Sequence, residues 1–203
     1  MRALMIALSV ATIAACSAPD EAPAQSRSGQ RAIAVVATGC FWCTESDFDK
    51  VPGVVSTTSG YIGGQTANPT YEQVSAGKTG HIEALRLVYD PSRVSYAALV
   101  NHALRTSDPT DGGGQFCDRG SQYRPAIFVG SAAERKAAET AKTQAAKELG
   151  KPIATDILPR ARFYPAEGYH QDYYKKNPLK YRYYRLSCGR DAQVKKIWGK
   201  AAR

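Results

Sequence analysis

The sequence predicts an α+β fold in which a mixed sheet is covered by helices, with a long irregular segment at the C-terminal end. Helical and strand-like stretches alternate in short units from about residue 32 onward and follow no strict repeat. At least one strand carries different residues on its two faces, and one long helix has mostly Ala at its apolar positions. These patterns favour a sheet with helices lying on it.

The composition is that of one compact domain. The chain has 203 residues, of which 43% are hydrophobic, and its net charge is +9. The length suffices to bury a real core, and we expect a monomer. Lys and Arg are interspersed with Asp and Glu and form no run of five or six, so we predict a soluble basic surface and no nucleic-acid partner.

The N-terminal residues predict export. Residues 1–15 form a short apolar segment shaped like a signal peptide. Ile13-Ala14-Ala15-Cys16 resembles a bacterial lipobox, which predicts a periplasmic protein with a lipid anchor at Cys16; ordinary cleavage after Ala22-Pro23-Ala24 is the alternative. Residues 16–31 read as a flexible tether, and residues 32–203 as the folded domain.

Two cysteines lie three residues apart in Gly39-Cys40-Phe41-Trp42-Cys43, directly after the apolar run 33–37. This pattern predicts a buried strand opening into a helix that ends near Pro52. A thiol in the first helical turn faces unpaired N–H groups and the positive end of the helix dipole, which favours the thiolate. Cys40 is therefore the candidate nucleophile, and Cys43 lies close enough on the same face to form a disulfide with it. Two buried structural cysteines remain the alternative.

The next stretches each end at residues typical of turns. We predict a strand from Val54 to Tyr61 ending at Gly63-Gly64, a helical turn from Tyr71 to Ala76, a strand from His81 to Tyr89, and a helix from Ser95 to Leu104. Alternation along the second strand places Glu83 on the face of Leu85 and Leu87. Burial there would raise the pKa of the carboxyl and suit it to proton donation; a solvated Glu83 is equally compatible with the pattern.

The second half of the chain has fewer chemical signals. The Gly-rich loop 108–115 lacks the Lys and the following Ser or Thr of a phosphate-binding loop. We predict a strand from Pro125 to Val129, a helix that starts at a Ser131/Glu134 capping box and ends at Leu149, and a strand from Ile153 to Leu158. The Tyr-rich stretch 163–184 fits a shell around a pocket better than a base-stacking surface.

Six motifs then occur in a fixed order. They are Gly39-Cys40-Phe41-Trp42, Gly60-Tyr61-Ile62-Gly63-Gly64, Asn68-Pro69-Thr70-Tyr71-Glu72, Gly80-His81-Ile82-Glu83, Asp118-Arg119-Gly120-Ser121-Gln122-Tyr123-Arg124, and Phe163-Tyr164-Pro165-Ala166-Glu167 with Tyr169-His170-Gln171. In these motifs and their order the chain resembles peptide methionine sulfoxide reductases of the A type, from about Ile33 to Trp198. The resemblance implies a two-layer α/β plait and the reduction of methionine-S-sulfoxide, free or in oxidised proteins.

The resemblance also implies roles for individual residues. It assigns Cys40 as the nucleophile, Glu83 as the acid that protonates the sulfoxide oxygen, and Tyr71 and Tyr123 as hydroxyls that hold that oxygen. Phe41 and Trp42 are implied to form the methyl pocket, and Asp118 to support the site. The chemistry is consistent: Cys40 is left as a sulfenic acid, which condenses with a neighbouring thiol.

Cys43 departs from the commonest family pattern, which has Gly there. Many relatives use cysteines near the C-terminus to resolve the sulfenic acid, and Cys188 lies in such a tail. We favour Cys43 as the resolving thiol, because it needs no loop rearrangement, and place Cys188 second. Cys117 either pairs with Cys188 in an oxidising compartment or is simply buried. No prosthetic cofactor is expected, and a thioredoxin-like dithiol of the cell envelope is the expected reductant.

Three other classes compete. A thioredoxin-like disulfide oxidoreductase also places Cys-x-x-Cys at a helix start, but Phe-Trp between the thiols and the motifs around Glu83 and Tyr123 argue against it. A zinc site built from Cys40, Cys43, Cys117 and Cys188 lacks the usual second close pair of ligands, so no metal is expected. A non-enzymatic sulfoxide-binding or peptide-binding lipoprotein is the third.

Overall fold

The computed structural model describes residues 29–202 and contains one main sheet. The strands are β1 Ala32–Ala37, β2 Val54–Ile62, β3 Ile82–Tyr89, β4 Gly114–Gln115, β5 Asp118–Arg119, β6 Ala126–Val129, β7 Asp156–Pro159 and β8 Phe163–Pro165. The helices are α1 Phe41–Phe48, α2 Tyr71–Ser75, α3 Tyr96–Arg105, α4 Ala132–Leu149, α5 Tyr173–Lys176, α6 Pro178–Ser187 and α7 Arg190–Trp198, with 3₁₀ turns at Ser121–Tyr123 and Gly199–Ala201.

The sheet is mixed and has the strand order β7-β6-β1-β3-β2-β8. Its neighbours are antiparallel except β6 and β7, which are parallel. One face carries the larger apolar cluster, which includes Leu85, Leu87 and the buried side of α3, α4 and α7. The other face carries a smaller cluster that includes Val35, Ile82 and Phe128. The α+β class with a mixed, helix-covered sheet is therefore confirmed.

Serine side chains cap α3 and α4, and the second of these caps was predicted. The hydroxyls of Ser95 and Ser131 accept hydrogen bonds from the N–H groups of Ala98 and Glu134, an arrangement that contributes about 1 kcal/mol to a helix. The carboxylate of Glu134, however, accepts from the N–H of Gly130, so the reciprocal half of the predicted capping box is not formed.

Two element boundaries differ from the prediction by more than one residue, and one segment differs in type. Helix α1 ends at Phe48 because successive turns follow it and Pro52 disfavours a helical conformation at Val51. Strand β7 begins at Asp156 because the N–H groups of Ala154 and Thr155 both donate to the carbonyl of Pro109. The C-terminal segment, expected to be irregular, is largely helical between residues 173 and 198.

The helical C-terminal segment returns to the main core. The ring of Trp198 in α7 is buried, and its indole N–H donates to the carbonyl of Ser107 over 3.1 Å. Val194, one turn earlier, is buried in the same cluster. Arg185 of α6 and Arg190 of α7 pair with Asp47, which places both helices beside α1.

The predicted signal peptide, Cys16 and nearly all of the tether lie outside the described residues, so export and lipidation stay predictions. Within residues 29–202, no helix combines the length and the apolar character that crossing a membrane requires.

Candidate active site

Cys40 lies at the tight turn that joins β1 to α1. It is the N-cap residue of α1 and is 6% exposed. The preceding Gly39 has φ +91°, and a Cβ there would lie 2.5 Å from the Cβ of Gln115. Because only glycine tolerates both the backbone angle and this close approach, the turn requires it. The turn brings the start of α1 to the first residues of strand β3, where the N–H of Phe41 donates a hydrogen bond to Glu83.

Glu83 is a buried carboxyl beside the nucleophile. It is 2% exposed, and its Oε2 accepts a hydrogen bond of 3.0 Å from the backbone N–H of Phe41. Burial raises the pKa of Glu83 to about 8, and the nearby carboxylate of Asp118 adds to this. The buried interpretation of Glu83 is confirmed, and the solvated one is wrong. At neutral pH this carboxyl carries a proton.

The hydroxyls of Tyr71 and Tyr123 are the predicted hydrogen-bond donors to the substrate oxygen. Burial raises the pKa of Tyr71 to about 12, and burial also raises the pKa of Tyr123. In both cases the charges of Glu83, Cys40 and Asp118 raise the pKa further. Both hydroxyls therefore keep their protons at neutral pH and can donate hydrogen bonds to an oxygen bound between them.

The protonation of the two free thiols differs from the expectation. Burial raises the pKa of Cys40, and a hydrogen bond to Cys43 and the carboxyl groups of Glu83 and Asp118 raise it further. The expectation that the helix start makes Cys40 a thiolate is therefore wrong for the site without substrate, because burial outweighs the helix dipole. The pKa of Cys43 is lowered instead, first by the hydrogen bond from Cys40.

Phe41 and Trp42 lie in an aromatic cluster, next to Cys40 in the chain. Phe41 is buried, with its ring centroid 4.9 Å from that of His170. The indole N–H of Trp42 donates to Nδ1 of His170 over 3.0 Å, and its ring stacks on Tyr173 at 3.7 Å. These contacts fix the two rings as an apolar wall that suits a methyl group and a thioether sulfur.

Asp118 lies in the hairpin of β4 and β5. Its Oδ2 accepts a 2.6 Å hydrogen bond from the hydroxyl of Tyr184. Burial raises the pKa of Asp118, and the charge of Arg190 counteracts the rise. The charge of Asp118 raises the pKa of Cys40 and of Glu83, and its role in the site stays a prediction.

Cys117 and Cys188 form a disulfide, with their Cα atoms 5.1 Å apart. This settles the alternatives in favour of pairing, and it leaves Cys188 without a free thiol in this state. Cys188 is buried and lies 4.0 Å from Oδ2 of Asp118, whereas Cys117 is exposed. The disulfide thus borders the site without being bonded to Cys40 or Cys43.

The four cysteines do not form a metal centre. Among the described residues, the one group of three potential ligands within 4.8 Å is Cys117, Asp118 and Cys188, and two of these sulfurs are bonded to each other. Cys40 and Cys43 do not join this group. The four-cysteine zinc site considered from the sequence is therefore not assembled.

Several residues of the site were not recognised as such from the sequence. Glu167 accepts hydrogen bonds from the hydroxyl of Tyr61 (2.9 Å) and from the N–H of Tyr71 (2.8 Å), and so positions α2. His170 is 1% exposed, and Tyr184 holds Asp118. Glu167 and His170 do belong to the motifs quoted above, but their contacts depend on elements far away in the chain.

Comparison with known proteins identifies a single family. The family model described as peptide methionine sulfoxide reductase matches residues 32–202. The peptide methionine sulfoxide reductase MsrA 2 of Rhizobium meliloti is 53% identical over 176 residues, covering 87% of this chain and 88% of that protein. MsrA 2 of Caulobacter vibrioides is 53% identical over 167 residues, covering 82% and 85% of the two chains.

Solved structures agree with these relatives. Methionine sulfoxide reductase A of Corynebacterium diphtheriae has a TM-score of 0.67 at 38% identity, covering 74% of this chain and 78% of that one. Reduced Mxr1 of Saccharomyces cerevisiae has a TM-score of 0.70 at 34% identity, covering 73% and 86%. Mxr1 in complex with Trx2 has a TM-score of 0.51 at 25% identity, covering 70% and 84%.

Proposed function

Because the chain belongs to the A-type peptide methionine sulfoxide reductase family, we propose that it acts through Cys40 as the nucleophile and Glu83 as the acid. The family makes it an oxidoreductase that reduces methionine-S-sulfoxide and repairs oxidised proteins. The observation that carries the mechanistic proposal is the buried carboxyl of Glu83, which is protonated at neutral pH and hydrogen-bonded to the N–H of Phe41, next to Cys40.

The predicted alternatives do not account for this arrangement. A thioredoxin-like disulfide oxidoreductase is excluded by the family match. A protein that only binds sulfoxides would need the apolar wall of Phe41 and Trp42, but it would not need a proton donor and a thiol at the same place.

The first chemical step needs an acid because a sulfoxide oxygen is a poor leaving group until it is protonated. In the proposed step the hydroxyls of Tyr71 and Tyr123 donate hydrogen bonds to that oxygen, and Glu83 transfers its proton to it. The sulfur of Cys40 gives its own proton to the carboxylate that is left on Glu83 and bonds to the substrate sulfur as the protonated oxygen leaves that sulfur; the oxygen then adds to the Cys40 sulfur and the sulfur–sulfur bond breaks. Methionine leaves with both electrons of the reduction, and Cys40 is left as a sulfenic acid.

The second step closes a disulfide. Cys43 lies one helical turn from Cys40, and a hydrogen bond already links the two thiols. Its pairing with Cys40 needs a small adjustment only, whereas Cys188 is bonded to Cys117 and must first be released. Cys43 is therefore the proposed resolving thiol, and Cys188 the second candidate.

An outside dithiol then reduces the disulfide. The structure of yeast Mxr1 with Trx2 supports a thioredoxin-like protein as the reductant. If the chain is exported as its first 16 residues predict, this reductant is a thioredoxin-like domain of the cell envelope, because the cytosolic pool is out of reach.

The order of disulfides tests the resolving step. In a single turnover without reductant, we expect mass spectrometry of quenched samples to show Cys40 bonded to Cys43 first. Cys43→Ser should release one equivalent of methionine and then stop as a sulfenic acid, or resolve slowly through Cys188. The matched control is Cys188→Ser, which should form the Cys40–Cys43 bond at the normal rate. Early appearance of a Cys40–Cys188 bond, with Cys43→Ser as fast as the unmodified protein, would make the C-terminal cysteine the resolving one.

Free methionine sulfoxide is also a proposed substrate. The groups gathered at Cys40 address only the sulfur, its oxygen and its methyl group, and these are the same in the free amino acid and in a peptide. We expect both free methionine-S-sulfoxide and a blocked tripeptide containing it to be reduced with dithiothreitol. Reduction of the tripeptide alone, measured as kcat/KM under the same conditions, would restrict the enzyme to peptides.

A further inference from the structure

The face of α1 that bears Cys43 packs against two arginine side chains. Cys43 is 2% exposed, and Asp47 lies one helical turn further along the same face. Oδ1 of Asp47 is 2.9 Å from Nη2 of Arg185 in α6, and its Oδ2 is 3.7 Å from Nε of Arg190 in α7. Both guanidinium groups interact with the charge of Cys43. Cations from α6 and α7 thus pair with the α1 face that bears Cys43, through Asp47, and act on the thiol by their charge.

Arg190 is a buried cation with incomplete charge compensation. It is 1% exposed, and its Nη atoms donate to the carbonyl oxygens of Thr38 (3.1 Å) and Thr106 (2.8 Å), which carry no net charge. Its Nε and Oδ2 of Asp47 both lack a hydrogen-bond partner. A buried charge in this situation is costly unless an anion lies close by.

Three carboxyl groups interact with these two cations. Arg185 and Arg190 share the buried carboxylate of Asp47, Arg185 also pairs with Asp191, whose side chain is 62% exposed and therefore screened by water, and Arg190 interacts with the charge of the partly buried Asp118. The remaining titratable groups that face Cys43 are Cys40 on α1, Glu83 on β3, and Tyr181 and Tyr184 on α6. All four have a raised pKa, so they are uncharged at neutral pH.

We propose that Arg185 and Arg190 hold the sulfur of Cys43 in its thiolate form and so make it the nucleophile of the second step. A Cys43 thiolate adds an anion near the buried guanidinium of Arg190, whose ion pair with Asp47 is long, at 3.7 Å. The inference rests on the proposed function, in which Cys43 resolves the sulfenic acid. Arg185 and Arg190 act through Cys43 and are positioning residues.

The step balances without another reactant. The thiolate of Cys43 attacks the sulfur of Cys40, a sulfur–sulfur bond forms, and the sulfur–oxygen bond of the sulfenic acid breaks. The oxygen leaves as water after taking up a proton, for which the carboxyl of Glu83 is the nearby source. Cys43 is oxidised and the Cys40 sulfur is reduced from sulfenic acid to disulfide. The arginines keep their protons throughout.

Two substitutions of opposite charge test this arrangement. Arg185→Met removes a cation, so the titration midpoint of Cys43 should rise, by about one pH unit for a charge this close. Asp47→Asn removes the opposing anion, so the midpoint should fall. A purely structural disturbance would not move the midpoint in opposite directions in the two variants. Arg190→Lys, which keeps the charge, should leave the midpoint nearly unchanged if it folds; the other two variants decide the matter if it does not.

The midpoint is measured by thiolate absorbance in a Cys40→Ser background. Subtracting the Cys40→Ser/Cys43→Ser double variant removes the contribution of every other cysteine and tyrosine. Equal midpoints in all variants, or shifts in the same direction, would overturn the proposal. This readout needs no turnover, so it is independent of whether Cys43 resolves the sulfenic acid.

A second readout connects the charge to the reaction. In single turnovers at a pH one unit below the measured midpoint of Cys43, Arg185→Met should slow disulfide formation about tenfold relative to methionine release, since a one-unit rise in the midpoint then leaves about tenfold less thiolate. Raising the pH should restore the rate. If the midpoint shifts as expected while disulfide formation keeps its rate, the arginines do not set the nucleophile, and the catalytic part of the inference is wrong. If Cys43→Ser resolves normally, the proposed resolving step itself has failed.

Discussion

Cys40→Ser is expected to abolish methionine release with every reductant. The rate should fall by about four orders of magnitude or more, as it does when a covalent nucleophile is removed from other enzymes. The serine hydroxyl keeps its proton at neutral pH and is a far weaker nucleophile than a thiol. Because Ser is favoured at a helix N-cap, where Cys40 lies, the variant should fold as well as the original protein. Single-turnover methionine release and thermal unfolding measure the two effects separately.

The matched control for this variant is Cys43→Ser. It removes a thiol from the same helix, and it should still release one equivalent of methionine in the first turnover. Cys40→Ser should release none. Release of methionine by folded Cys40→Ser would take the role of nucleophile away from Cys40, with Cys43 as the nearest replacement.

Glu83→Gln is expected to slow the chemical step by about 10²- to 10⁴-fold, the usual contribution of a positioned acid. The amide keeps the shape of the side chain, and its oxygen can still accept the hydrogen bond from the N–H of Phe41. What it loses is the transferable proton. Substrate should therefore bind normally while single-turnover methionine release slows, and Glu139→Gln, on the exposed side of α4, should behave like the unmodified protein.

The contribution of Glu83 to the rate of methionine release should decrease as the pH rises. The proposed acid is active when protonated, and burial raises the pKa of Glu83 to about 8. Its contribution should hold from pH 5 to about 7 and decline as the pH rises through about 8, and Glu83→Gln should lack this decline. A Glu83→Gln variant as fast as the unmodified protein between pH 5 and 8 would mean that the proton comes from elsewhere, with Tyr71 or Tyr123 the next donors.

The local sequence determined most of the secondary structure. Apolar alternation located β2 and β3, and the Ser131 cap and Gly150 bounded α4. These features depend on residues a few positions apart, so they can be read from one stretch of chain. The pair of cysteines after β1 was sufficient to locate the candidate nucleophile for the same reason.

Tertiary structure decided the protonation of the site. Whether Glu83 was buried or solvated depended on what covers the end of β3, and the sequence pattern allowed both. A thiolate was expected at Cys40 from its place at the helix start, but burial and the nearby carboxyl groups of Glu83 and Asp118 raise the pKa of this thiol. Desolvation depends on the atoms of every surrounding element, whereas the helix dipole is a property of one helix. The effect of the dipole could therefore be predicted from the local sequence, but the effect of desolvation could not.

Tertiary structure also decided the contacts between distant residues. Cys117 and Cys188 pair across a sequence separation of 71 residues, and Arg190 reaches the carbonyl of Thr38 across 152. No short-range pattern encodes such pairs, because they follow from how α6 and α7 pack beside α1. The sequence alone thus indicated the candidate residues for the chemistry, and the packing of the whole chain determined which of them are charged, bonded or buried.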